Sequence, residues 1–161
     1  MKILIIGYGL IGKERLKAIE ELIKKDKKKI DIIGIIDPVF INNEYKEQIM
    51  YNIFENLNSF FNYYTEKNID WVFICTPHFE TLKTLNYFKA HNCNFLVEKP
   101  LGRDINEFKL FKSEYNQNRK IYVGFNYRFF QGINLMLQDI NNKIFGDLIS
   151  VNLILAHGNA P

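Results

Sequence analysis

Three glycines near the amino terminus have the spacing of a phosphate-binding turn. They lie in "GYGLIG" (7–12), directly after the apolar run "KILII" and before a helix-like pattern. In such a motif the first glycine permits a tight turn, the second lets the backbone approach a pyrophosphate, and the third lets the helix pack closely against the strand. The free N–H groups at the start of the helix then favour the phosphates. The residues predicted to bind a dinucleotide here are Gly7, Tyr8, Gly9, Leu10, Ile11 and Gly12.

A carboxylate follows at the place where a dinucleotide site holds a ribose. Asp37 ends the second apolar run, about 25 residues after Gly12, and a carboxylate there hydrogen-bonds ribose hydroxyls and repels a 2′-phosphate. No arginine occurs in the following "DPVFINNEY", and Lys46 is the nearest cation along the chain. The sequence therefore favours NAD over NADP as the cofactor. The alternative is a glycine-rich structural turn with an aspartate that merely caps a strand.

A lysine with a possible role in proton transfer follows a later strand-like run. Glu98, Lys99 and Pro100 come directly after "NFLV", and the carboxyl end of a strand in an open parallel sheet lies at the ligand crevice. A nicotinamide cation nearby would disfavour the ammonium form of Lys99 and help it exchange a proton with a substrate hydroxyl. We predict Lys99 as a catalytic and substrate-binding residue, with Glu98 and Pro100 beside the cofactor. The alternative is a surface lysine next to a proline that ends a strand.

The elements that would position these residues alternate along the chain. Strands are predicted at 2–6, 29–37, 70–77, 94–100 and 120–129, with a further short strand near "YNIF" (51–54). Helices are predicted at 10–25, 55–67, 79–91, 104–117 and in "QGINLMLQDINNKI" (131–144). Alternating strands and helices imply a parallel sheet, and continuous apolar runs fit strands that are buried on both faces. The predicted class is α/β.

Composition excludes several other classes of protein. Hydrophobic residues make up 47% and charged residues 24% of the 161 residues, as in globular proteins, and the net charge of +3 is too small to indicate a nucleic-acid partner. The sequence contains no apolar segment of 18 residues, so no membrane span is predicted. Cys75 and Cys93 do not form a disulfide framework, and no spacing of metal-ligand residues suggests a metal. A cytoplasmic location is therefore expected.

Five landmarks together resemble a known family of dehydrogenases. "GYGLIG", Asp37, "CTPHFET" (75–81), "EKPLG" (98–102) and "GFNYRF" (124–129) occur in that order. They resemble the N-terminal part of the Gfo/Idh/MocA family, which includes glucose–fructose oxidoreductase and inositol dehydrogenase. The resemblance covers essentially the whole chain, and Glu98-Lys99-Pro100 is its most specific piece.

The resemblance implies a fold and an activity. The fold would be a doubly wound Rossmann domain over 1–125, with 126–161 as the start of an incomplete α+β domain for substrate binding and oligomerisation. The activity would be NAD-dependent oxidation or reduction at a secondary alcohol of a sugar, cyclitol or nucleotide-sugar. A non-catalytic NAD-binding module or partner subunit is the alternative. A methyltransferase with a glycine-rich loop for S-adenosylmethionine is a weaker one, since it explains neither the Glu-Lys-Pro sequence nor the third glycine.

The resemblance also implies further site residues. Thr76 and Pro77 resemble a turn beside the ribose and nicotinamide of the cofactor. His78 is included with them as a cofactor-binding residue, and the alternative is a plain surface histidine. The residues that resemble a segment passing the substrate cleft are Asn126, Tyr127 and Arg128. Arg128 could bind a carboxylate or hydroxyl groups, and the alternative is a salt bridge between domains. This chain departs from the family at Arg15 and Thr81, because many relatives carry a histidine at each place.

Family members continue for well over a hundred residues beyond the length of this chain. We therefore expect a truncated dehydrogenase that is inactive by itself and a homo-oligomer when the protein is full length. His157 precedes the expected glycine-rich turn and does not match the family's catalytic histidine. The segment 147–156, "DLISVNLILA", is predicted as a strand that lacks its neighbours, and such an unpaired edge would promote self-association.

Overall fold

The computed structural model describes residues 1–27, 29–40, 49–65, 68–114, 119–152 and 154. Contacts between Cα atoms divide the chain into two compact units, Met1–Gly124 and Phe125–Pro161. The predicted domain roles of these two parts remain predictions.

The first unit is built on a parallel sheet of six strands in the order β3-β2-β1-β4-β5-β6. From β1 the chain adds β2 and β3 on one side of the sheet and then β4, β5 and β6 on the other. The boundary between β1 and β4 is therefore the switch point where ligands bind in open α/β sheets. The predicted Rossmann fold is therefore confirmed, including the short third strand near "YNIF". The strands are β1 (Lys2–Ile6), β2 (Asp31–Ile36), β3 (Ile53–Phe54), β4 (Trp71–Ile74), β5 (Asn94–Val97) and β6 (Ile121–Val123).

Four helices of this unit follow strands β1, β3, β4 and β5. They are α1 (Leu10–Asp26), α2 (Leu57–Tyr63), α3 (His78–Tyr87) and α4 (Ile105–Glu114), and a 3-10 turn, Phe88–Ala90, follows α3. Helix α2 begins at a capping box, in which the Asn56 side chain accepts from the Ser59 N–H and the Ser59 hydroxyl accepts from the Asn56 N–H. None of the helices in the described residues is both long enough and apolar enough to span a membrane.

Strand β1 shows why the apolar runs are continuous rather than alternating. Ile3 and Ile5 pack in one core cluster, with Leu16 and Ile19 of α1. Leu4 and Ile6 pack in a second cluster, which contains residues of α2, α3 and α4. Since successive side chains of a strand point to opposite faces, a strand covered by helices on both sides must be apolar at every position. The second cluster contains the largest fully buried side chains, which include Phe60, Phe88 and Phe95.

Several predicted strands and helices were too long at their carboxyl ends. The strand predicted at 70–77 ends at Ile74, the one at 94–100 ends at Val97, and the one at 120–129 ends at Val123. The chain leaves the sheet at these points, and the residues that follow β4 and β5 line the site described below. The helix predicted at 55–67 spans Leu57–Tyr63, because Asn56 caps it at the start.

The second unit consists of short local elements. A 3-10 helix, Asn126–Phe129, precedes helix α5 (Gln131–Asn141), and neither buries a residue. The strand predicted over 147–156 is wrong for its described residues, 147–152 and 154, none of which is in a strand. A strand needs a partner for its backbone N–H and C=O groups, and the described part of this unit contains no other strand. Residues 153, 155 and 156 lie outside the described residues.

Candidate active site

Two of the three motif glycines are required by the fold itself. Gly7 has a φ of +88°, and a Cβ atom there would lie 2.8 Å from the Cys75 carbonyl carbon. A Cβ atom on Gly12 would lie 2.1 Å from the Gly7 carbonyl oxygen. The Gly7 N–H donates to the Ile36 carbonyl at 2.8 Å, which holds the turn against β2. Both glycines therefore permit close approaches of backbone to backbone in the turn between β1 and α1.

Gly9 is different, because nothing in the part of the chain that the structure describes requires a glycine there. Its φ is −71°, a value that other residues adopt, and a Cβ atom on it would meet no atom within 4 Å. No side chain caps α1, and its first turn contains no acidic residue. The space beside the Gly9 backbone is therefore open at the start of a long helix, where Gly9, Leu10 and Ile11 line a cavity. These features fit a pyrophosphate, which would be bound by the helix N-terminus and would need a bare backbone for close approach.

Asp37 is fixed by the backbone around it. Its Oδ2 accepts the Tyr8 N–H at 2.7 Å, and its Oδ1 accepts the N–H groups of Val39 at 2.9 Å and Phe40 at 2.7 Å. The carboxylate thereby joins the glycine-rich turn to the loop after β2. The Tyr8 side chain is buried edge-on against the Phe40 ring, so Tyr8 offers the site its backbone rather than its phenol. Burial, and then the Glu20 carboxylate, raise the pKa of Tyr8.

Lys99 lies just beyond β5 with an exposed side chain. The Lys99–Pro100 peptide bond is cis. Backbone hydrogen bonds hold this end of the sheet, since the Glu98 N–H donates to the Ile74 carbonyl at 3.1 Å and the Gly124 N–H donates to the Val97 carbonyl at 2.8 Å.

The Glu98 side chain pairs with a residue of α1. The Arg15 Nε donates to Glu98 Oε1 at 3.0 Å, the Arg15 Nη2 contacts the same oxygen, and the two side chains are 23% and 15% exposed. A Cβ atom on Gly124 would lie 3.0 Å from Glu98 Oε2, so the carboxylate is enclosed between α1 and the ends of β5 and β6. The pKa of Cys75 is raised to about 12, mainly by burial and then by the Glu98 carboxylate, while Arg15 acts in the opposite direction. Cys75 is therefore a neutral thiol in the wall of the site.

One cavity of about 1030 Å³ joins these features within the first unit. Its size is at the upper end of the range for ligand pockets. The walls come from the glycine-rich turn, the loop after β2, the start of α2, helix α3 and the end of β5. Of the residues predicted to bind the cofactor, the cavity is lined by Gly7, Tyr8, Gly9, Leu10, Ile11, Asp37, Thr76, Pro77, His78, Glu98 and Lys99. Gly12 and Pro100 are not among the lining residues, and the individual roles remain predictions.

The residues predicted to bind substrate lie in the second unit, apart from Lys99. Asn126, Tyr127 and Arg128 belong to the 3-10 helix Asn126–Phe129, and all three are exposed. Their predicted role remains a prediction. Lys46 and His157 lie outside the described residues. Thr81, where relatives carry a histidine, is 1% exposed within α3 and does not line the cavity.

Sequence reasoning missed several residues of the cavity wall. Glu55, Asn56 and Leu57 line it from the end of β3 and the start of α2. Further lining residues from α3 are Glu80, Lys83, Thr84 and Tyr87. The first group could have been found, because a residue that directly follows a parallel strand belongs to the ligand edge of the sheet. Instead, Glu55 was predicted as the first residue of the helix at 55–67, so its place directly after a strand was not recognised. Nothing in the α3 pattern distinguishes its cavity face.

No group of three His, Cys, Asp or Glu residues that could hold a metal ion occurs in the part of the chain that the structure describes.

Comparison with known proteins identifies the family of the chain. Residues 1–125 match the family model GFO_IDH_MocA, described as an oxidoreductase family with an NAD-binding Rossmann fold. No curated protein matches the sequence significantly. The family model describes NAD binding, so the cofactor predicted from the sequence is confirmed at the level of the family.

Solved structures share the fold at low sequence identity. The match to an NAD-binding protein from Listeria innocua covers 91% of this chain and 41% of that protein, at 17% identity and a TM-score of 0.73. The match to scyllo-inositol dehydrogenase from Lactobacillus casei, with bound NAD(H) and scyllo-inositol, covers 91% of this chain and 42% of that enzyme. The identity is 22% and the TM-score is 0.73. The match to the WlbA dehydrogenase from Bordetella pertussis, in complex with NADH and UDP-GlcNAcA, covers 90% of this chain and 43% of that enzyme. The identity is 16% and the TM-score is 0.72. This chain thus spans less than half the length of these structures.

Proposed function

This chain belongs to the Gfo/Idh/MocA oxidoreductase family, and we propose that it is an NAD-dependent oxidoreductase acting on a secondary alcohol of a sugar, cyclitol or nucleotide-sugar. The observation that carries the proposal is the single cavity that Gly9, Asp37 and Lys99 line together. Its walls include the start of α1, which would bind the pyrophosphate, the Asp37 carboxylate, which would bind a ribose, and Lys99.

In the proposed reaction each of these residues has one task. The N–H groups at the start of α1 bind the pyrophosphate, and Asp37 accepts a ribose hydroxyl. The Nζ atom of Lys99 takes the proton from the substrate hydroxyl during oxidation and returns it during reduction. When bound, NAD supplies the hydride acceptor or donor. The pair between Arg15 and Glu98 fixes the backbone that carries Lys99, because Glu98 is the preceding residue.

The substrate class rests on the structural relatives rather than on this cavity. One relative was crystallised with scyllo-inositol and another with UDP-GlcNAcA, and both compounds carry secondary hydroxyl groups. We assign Asn126, Tyr127 and Arg128 to substrate binding, since an arginine and two hydrogen-bonding side chains can hold hydroxyl or carboxylate groups.

The proposal can be tested by binding and turnover together. Titration of the chain with NADH, followed by NADH fluorescence, is expected to show saturable binding. Scyllo-inositol and UDP-GlcNAcA are then offered with NAD, and NADH formation is followed by absorbance. Lys99→Ala should lower any turnover by about a hundredfold or more while NADH affinity stays similar. Lys109→Ala, an exposed lysine on α4 outside the cavity, is the matched control.

The outcomes separate the two functions considered. Turnover that depends on Lys99 supports the oxidoreductase. NADH binding without turnover agrees both with the expectation that this chain is inactive by itself and with the alternative of an NAD-binding module or partner subunit. Absence of NADH binding would refute both.

A further inference from the structure

Two carboxylates end neighbouring strands at the same edge of the sheet. Strands β2 and β3 are parallel, with Ile36 opposite Phe54, and the Asp37 N–H donates to the Phe54 carbonyl at 2.9 Å. Glu55 directly follows Phe54, so it leaves β3 at the level where Asp37 leaves β2. Since neighbouring strands are about 5 Å apart, the two residues are side by side.

The side chains of Asp37 and Glu55 also start on the same face of the sheet. Ile36 and Phe54 both pack in the core cluster that contains residues of α2, α3 and α4. Side chains alternate along a strand, so the next residue of each strand starts on the opposite face, toward α1 and the glycine-rich turn. The hydrogen bond from the Tyr8 N–H to Asp37 agrees with this placement. Both Asp37 and Glu55 line the cavity.

Asp37 has little remaining capacity to bind a ribose. Three backbone N–H groups already donate to its two oxygens. A carboxylate has about four acceptor positions, which leaves room for about one further donor. A ribose, however, offers its 2′ and 3′ hydroxyl groups together. Glu55 is exposed in the cavity wall and forms no ion pair with the described residues, so its acceptor positions are free within that part of the chain.

We propose that Glu55 is a second ribose-binding carboxylate, which accepts one hydroxyl beside Asp37 and strengthens the preference for NAD over NADP. The proposal rests on the NAD binding proposed above and adds a specificity determinant to it. A 2′-phosphate placed at this corner would face two negative charges instead of one. Of the cavity-lining lysines Lys83 and Lys99, the first is paired with Glu80 at 3.4 Å.

The test compares two cofactors on variants of the full chain. Dissociation constants for NADH and NADPH are measured by fluorescence titration at low ionic strength, where charge effects are least screened. Glu55→Gln removes the charge and keeps the shape and one acceptor oxygen. The ratio of the NADPH to the NADH dissociation constant is expected to fall about fivefold, as for an exposed charge interaction. Glu55→Ala should in addition weaken NADH binding severalfold, because it removes the acceptor.

A matched control separates this local effect from net charge. Glu21→Gln changes the same charge at an exposed position of α1 outside the cavity and should leave the ratio unchanged. An unchanged ratio in Glu55→Gln, or an equal change in both glutamine variants, would overturn the role of Glu55 while the NAD site stands. If the unsubstituted chain does not bind NADH, the proposed function fails first and this inference fails with it.

Discussion

Helices α3 and α5 have similar lengths, and α5 is the more amphipathic of the two, but they lie in units with different burial. Helix α3 buries Leu82 and Leu85, whereas no residue of α5 is buried, although it carries several apolar residues. The exposed apolar residues of α5 are Ile133, Leu135, Met136 and Leu137. The sheet of the first unit gives α3 a surface on which to pack, and the described residues of the second unit provide no sheet for α5. Apolar periodicity thus predicts a helix, but only a partner surface turns it into part of a core.

Strand β2 of the first unit and the strand-like segment 148–152 of the second differ in burial in the same way. β2 has neighbours on both sides in the sheet and buries five of its six residues. Residues 148–152, "LISVN", have a comparable apolar content and are exposed without forming a strand. Among the described residues, the first unit thus forms a buried core of packed strands and helices, whereas the second unit buries no residue.

The largest expected difference between the units comes from removing a phenylalanine ring. Phe88 is fully buried in the first unit and Phe129 is 77% exposed in the second. Phe88→Ala should lower the free energy of unfolding by about 3–5 kcal/mol, because it leaves a cavity, and Phe129→Ala should change it by less than about 0.5 kcal/mol. Urea denaturation followed by the fluorescence of Trp71 measures both. Equal effects would mean that the second unit shares the core of the first.

A smaller difference is expected for two glycines in helices. A Cβ atom on Gly12 would collide with the Gly7 carbonyl, whereas one on Gly132 in α5 would meet nothing within 4 Å. Gly12→Ala should destabilise the chain by about 1–3 kcal/mol, since the backbone must shift. Gly132→Ala should be neutral or increase helix content slightly, because alanine is the better helix former. Urea denaturation and circular dichroism test the pair, and a tolerated Gly12→Ala would contradict the described geometry.

The third comparison concerns two ion pairs. The Arg15–Glu98 pair is mostly buried, whereas Lys143 and Asp147, 2.7 Å apart, are 70% and 82% exposed. Arg15→Met should cost about 1–3 kcal/mol, because it leaves the Glu98 carboxylate enclosed without its partner. Lys143→Met should cost less than about 0.5 kcal/mol. Thermal or urea unfolding of both variants decides this, and a harmless Arg15→Met would show that Glu98 has enough water to remain solvated alone.

Local signals in the sequence were sufficient for most of the first unit. The glycine spacing, Asp37 at the end of β2 and the residues after β5 predicted both the sheet and the edge where the cavity lies. Glu55 was missed because it was predicted as the first residue of the helix at 55–67, whereas it lies between β3 and Asn56, which caps α2. The partnership of Arg15 with Glu98 joins residues far apart in the chain, and no local pattern predicts a long-range ion pair. The strand predicted after 146 failed because strand formation depends on a neighbour.

Gly9 gives the most direct test of the central claim that the first unit forms an NAD site. Because a Cβ atom at Gly9 would meet no protein atom within 4 Å, Gly9→Val should retain the fold and lose at most about 1 kcal/mol from the less favourable helix cap. The same side chain would occupy the space in front of α1 that we assign to the pyrophosphate. NADH titration of the unsubstituted chain and of Gly9→Val, each shown to be folded by its urea denaturation curve, is the decisive measurement. The account predicts saturable NADH binding to the first and at least a roughly hundredfold weaker affinity in the second. Equal NADH affinity in both folded chains would contradict it.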